Sequence, residues 1–147
     1  MIDIKNREKS PLRGLFAEGL ARSYKEQIRV DIRKLNVLRS AEHLRKALES
    51  IRKLPSDSTK IPRGRKTETL LEGIKACFDD ILGILPIGGD EDDVRTHVSA
   101  AQESLTAYER CFNANTLSPD LTAAIQSHVQ NAVSLANDRV LKIEGKA

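Results

Sequence analysis

Between Leu12 and Ile51 the apolar residues keep the spacing of a helix but change sides. Leu12, Leu15, Phe16, Leu20, Tyr24, Ile28, Ile32, Leu35 and Leu38 recur at steps of mostly three and four. At 100° per residue, Ile28, Ile32 and Leu35 share one side of a helix. Val37, Ala41, Leu44, Leu48 and Ile51 lie roughly 160° round from it. One buried face cannot accommodate both sets. Either one long helix is covered on two sides, or the helix breaks near Arg39-Ser40. Ser10-Pro11 predicts its start, because Ser can cap and Pro loses nothing in the first turn. Residues 1–10 are then a flexible N-terminus, and Pro55 ends the segment.

The rest of the chain repeats the helical period without a sustained strand alternation. Thr69-Leu70-Leu71-Glu72 has the form of a capping box, in which Thr and Glu satisfy each other's free backbone N–H groups. Leu71, Ile74, Phe78, Ile81 and Leu85 make the stripe that follows, stopped by Pro86 and the Ile87-Gly88-Gly89 turn. Asp90-Glu91-Asp92-Asp93 opens the next helix, with acids at the positive end of its dipole. Its stripe is Val94, Val98, Ala101, Leu105, Tyr108 and Phe112. Ser118-Pro119 then starts a last helix with Leu121, Ile125, Val129, Ala132, Ala136, Val140 and Ile143 on one face. Short connections imply antiparallel neighbours. The expected fold is all-α: an antiparallel up-and-down bundle of four helices, or five if the first is broken, forming one domain over 1–147.

Aromatic residues are only 3% of the 147, with no Trp, so the core is expected to be aliphatic. No apolar run approaches the length of a membrane span, and the N-terminus lacks a signal-peptide core. A cytoplasmic location is expected, or a nuclear one in a eukaryote. Cys77 and Cys111 have no metal-type spacing and read as free thiols.

The net charge of +3 conceals an asymmetry. Residues 1–66 carry 18 Lys+Arg against 8 Asp+Glu, and residues 67–147 carry 6 against 13. A basic half of this kind suits an anionic partner or the acidic half of the same or another copy. Two basic groups stand out. Arg22, Lys25, Arg29 and Arg33 fall on one helix side and can track a phosphate backbone or an anionic membrane, or remain a solvated face. The basic interhelical loop 55–66 contains Lys60-Ile61-Pro62-Arg63-Gly64-Arg65-Lys66, which resembles the AT-hook, a minor-groove DNA-binding motif centred on Pro-Arg-Gly-Arg. The resemblance implies that Arg63, Gly64 and Arg65 enter an A·T-rich minor groove and that Lys60 and Lys66 contact phosphates. The motif departs from the usual one where Lys66 replaces Pro and Thr67-Glu68 replaces further basic residues.

No set of residues assembles a catalytic site. His43, His97 and His128 lie outside H-E-x-x-H and E-x-x-H patterns, and Gly88-Gly89 lacks the Lys-Ser/Thr of a phosphate loop. Ala100-Ala101-Gln102 through Tyr108, Leu117-Ser118-Pro119 and Asn137-Asp138-Arg139 are similar, over about 45 residues, to the last two helices of a ferritin-like four-helix-bundle family related to rubrerythrins. That family binds di-iron through Glu and Glu-x-x-His residues. Here Thr106 stands three residues after Glu103, and Phe112 three after Glu109, so the resemblance implies the bundle without its metal ligands. The sequence reading is therefore a non-enzymatic scaffold, adaptor or assembly protein with no cofactor and no evident small-molecule substrate, acting through charged helix faces on a protein partner or on itself. The alternative is a protein associated with duplex DNA through the 60–66 loop and the Arg22/Lys25/Arg29/Arg33 face.

Overall fold

The side change of the apolar residues is resolved by a helix that does not break. The computed structural model describes residues 2–61 and 64–145, with side chains from Ala17 onward. Among the described residues there are four α-helices and no strands: α1 Ile2–Arg52, α2 Lys66–Ile84, α3 Asp92–Asn113 and α4 Pro119–Ile143. The fold is all-α, as the periodicity predicts, with four helices rather than five. At the predicted break Ser40 stays helical, and its buried hydroxyl is satisfied inside the helix by donating back to the Asn36 carbonyl at 2.8 Å.

The helix start expected at Ser10-Pro11 is corrected: α1 already begins at Ile2. An α-helix can run through a proline at the loss of one backbone hydrogen bond, at a cost of about 3 kcal/mol. The capping box at Thr69 is also corrected. α2 starts three residues earlier, at Lys66, and the Thr69 hydroxyl donates to the Arg65 carbonyl at 3.0 Å. Lys66 is thus helical, and the connection it was expected to close ends one residue sooner.

The packing divides the chain into two units, Met1–Leu35 and Asn36–Ala147. The first is helix, with Leu20, Tyr24, Ile28, Ile32 and Leu35 exposed rather than packed. The second is the antiparallel bundle, built from the last part of α1 with α2, α3 and α4. Arg45 of α1 donates to the Asn137 side chain of α4 at 2.9 Å, and His43 lies 4.0 Å from Asp80 of α2.

The bundle core consists of the stripes expected from the spacing. Val37, Ala41, Leu44 and Ile51 are buried from α1, with Leu71, Ile74, Phe78 and Ile81 from α2. Val94, Val98, Ala101, Leu105 and Tyr108 come from α3, and Ile125, Val129, Ala132 and Ala136 from α4. Burying each large aliphatic side chain contributes about 1.5–3 kcal/mol. The core is mainly aliphatic, but its two largest fully buried side chains are the aromatic Tyr108 and Phe78.

The ends are fastened by polar contacts. Tyr108 donates its hydroxyl to the Pro55 carbonyl at 2.7 Å, tying the α1–α2 connection to α3. Arg95 donates to the Leu82 and Leu85 carbonyls at 2.6 and 2.5 Å, placing a cation at the negative end of α2. Gly88 turns the chain with a φ of 73°, in the left-handed region, and its N–H reaches the Asp92 carboxylate at 2.9 Å. Asp92 and Asp93 occupy the first turn of α3, as the dipole argument expects. Among the described residues, no helix is long and apolar enough to cross a membrane.

Candidate interaction surface

Leu20, Tyr24, Ile28, Ile32, Leu35 and Leu38 follow one another on α1 at steps of four and three, so they form one stripe. The chain exposes this stripe: Tyr24 is 66% accessible, Ile28 56% and Ile32 53%. A lone exposed leucine is ordinary, but six large apolar side chains along one helix face are not. The sequence alone allows either a long helix covered on two sides or a helix that breaks near Arg39-Ser40. The only trace of the uncovered stripe in the sequence is the change of phase between Leu35 and Val37.

The predicted basic residues fall into two groups, one in each unit. Arg22, Lys25 and Arg29 are exposed along α1, and Arg33 is half-exposed in the same row. The row is centred roughly 135° round the helix from the apolar stripe. Asp31 lies on the stripe side, where it accepts a hydrogen bond from the Gln27 amide at 2.9 Å. The loop group is differently placed. Lys60 ends a short 3₁₀ turn, Ser58–Lys60, with its ammonium 3.9 Å from the Asp57 carboxylate. Asp57 is held below the usual carboxylate range chiefly by the Thr59 hydroxyl, with Lys60 adding to the effect. Arg63, with Pro62, lies outside the described residues. Gly64 takes a φ of 89°, and Arg65 a ψ of 16° leading into α2. The Arg65 side chain is 89% exposed and its Nε stands 3.2 Å from Glu68. Lys66 is exposed in the first turn of α2. Two of the four loop cations therefore already face a carboxylate.

The remaining chemistry-bearing groups are dispersed. Among the described residues, no three His, Cys, Asp or Glu side chains cluster as a metal site would require. His97 and His128 face each other between α3 and α4 with ring centroids 6.5 Å apart. A cleft of about 240 Å³ is lined by Glu68, Glu72, Lys75 and Glu109, but Lys75 and Glu109 pair across it. Both cysteines are free and half-buried. Burial pushes the Cys77 thiol up, and Asp80 adds to the shift. The residues that carry the ferritin-like resemblance lie on α3, on α4 and in the connection between them. The chain matches no protein-family model, and no curated protein or solved structure shows significant similarity to it.

Proposed function

We propose that this chain is a non-enzymatic assembly protein that engages a helical protein partner through the exposed faces of α1. The observation that carries this reading is the uncovered stripe from Leu20 to Leu38. Apolar surface of that extent marks a contact surface, because leaving it in water costs about 25 cal/mol for every Å². The basic row round the helix from it supplies orientation and steering more than affinity. A photo-crosslinking side chain at position 28, in the full chain expressed in cells, tests the reading. Adducts above the monomer mass are expected from position 28. None are expected from position 87, where Ile87 is exposed but isolated in a turn. Absence of any adduct from position 28 would overturn the proposal.

The second reading, association with duplex DNA, is favoured by the exposed row of Arg22, Lys25 and Arg29. With Arg33, Lys60, Arg63, Arg65 and Lys66 it offers enough cations for several phosphates. Affinity would then fall with salt at a log–log slope of about −0.9 for each phosphate contacted. Arg63→Ala/Arg65→Ala would remove a preference for A·T-rich duplex first. No binding at low salt would dismiss this reading, since electrostatics alone should then produce some.

A further inference from the structure

Resting on the assembly reading, we infer that the partner of the α1 stripe is the same stripe on a second copy of this chain, in a two-fold helix–helix contact. Three observations converge on that occupant.

The first is area. From their fractional exposures, the six stripe residues present roughly 600 Å² per copy, so a pair can bury at most roughly 1,200 Å², the lower edge of specific interfaces.

The second is the lack of another apolar acceptor. Outside α1, the large hydrophobic side chains exposed among the described residues are Ile87 and Leu141, one in a turn and one on α4. Among the described residues, no second apolar face is available for a head-to-tail contact. A two-fold pair needs only a self-complementary patch, and the stripe is one. Its steps of four, four, four, three and three average 3.6 residues, so it runs straight along the helix and can lie beside its own copy.

The third is charge. Residues 17–35 carry Arg22, Lys25, Arg29, Arg33 and Lys34 against Glu18, Glu26 and Asp31, a net of only +2. The basic row stays in water when the stripes pair, so self-repulsion is small. Asp31 argues against a lipid surface, because its carboxylate sits on the side that would enter the apolar layer. Within a helix pair, a single polar residue beside the seam is tolerated and helps to set register. DNA would engage the opposite side and leave the stripe uncovered.

Sedimentation of the purified full chain from about 5 to about 200 µM tests the inference. The mass should rise from 16.3 kDa toward that of two copies. Ile28→Glu/Ile32→Glu should weaken association at least about 100-fold, by placing charge in the seam. Arg29→Glu/Arg33→Glu should leave it within about threefold. Helix content and bundle unfolding should not change in either variant. If the glutamate variant lost helix, Leu35→Ala should still weaken association about tenfold with helix retained. A monomer throughout would overturn the inference, as would a dimer indifferent to the stripe variants. A monomer that binds anionic vesicles through the stripe would overturn it in favour of lipid. The two claims separate at position 28. An adduct of twice the chain's mass supports self-pairing, whereas one of another mass keeps the assembly reading and ends self-pairing. No adduct ends both.

Discussion

Replacing Tyr108 with Phe removes one buried oxygen and nothing else. The ring is fully buried, and its hydroxyl donates to the buried Pro55 carbonyl at 2.7 Å. Phe keeps the ring packing but withdraws the donor. The cost is therefore that of a buried carbonyl deprived of a partner, about 1–3 kcal/mol. For a bundle of this size that is a fall of about 4–10 °C in Tm. Urea unfolding followed by helical circular dichroism at pH 7 should show a lower midpoint with an unchanged slope. A second signature comes from titration. Burial pushes the Tyr108 hydroxyl up to about 12. The unfolded chain loses that proton near pH 10, while the folded chain keeps it. Wild-type stability is thus complete below about pH 10 and declines as pH rises toward 12. The Phe variant lacks this group, so the gap between the two proteins should narrow over that window. A loss below about 0.5 kcal/mol at pH 7, or parallel curves between pH 10 and 12, would refute the reasoning.

Phe78→Ala should cost about 3–5 kcal/mol in the same urea assay, because Phe78 is fully buried and the surrounding helices collapse only partly around the void. Gly88→Ala should cost about 1–2 kcal/mol even though open space surrounds the new methyl, since the φ of 73° penalises any Cβ. Cys77 should react with iodoacetamide at pH 8 more slowly than a free cysteine, because its thiol is half-buried and held protonated. A rate equal to that of the free amino acid would contradict its placement.

The helices that pack on one side were legible in their spacing. Every residue of the Leu71–Leu85 stripe is buried, as are Val94 through Tyr108 on α3. Periodicity identifies a face, but it does not say whether anything covers it. Leu20–Leu38 has the same grammar as those core stripes, and only its phase against Val37, Ala41 and Leu44 distinguishes it. Ends were less legible than faces. Ser10-Pro11 and Thr69–Glu72 are strong start signals, yet both lie inside helices, and at Thr69 the hydroxyl donates back to the Arg65 carbonyl instead of capping. The contacts of Tyr108 with Pro55 and of Arg95 with Leu82 and Leu85 were not readable at all. Their acceptors are backbone carbonyls, which carry no residue-type signal. The basic residues were found readily, since charge is explicit in sequence. Their pairing was not: Asp57 and Glu68 beside Lys60 and Arg65 emerge only from the fold.

Amide hydrogen exchange of residues 20–38 at low and high protein concentration tests the central claim most directly. Self-pairing predicts weak protection in this part of α1 at about 5 µM and strong protection at about 200 µM, with α3 and α4 unchanged. Protection that stays weak and independent of concentration would show that the stripe is not covered by a second copy, and would contradict the account.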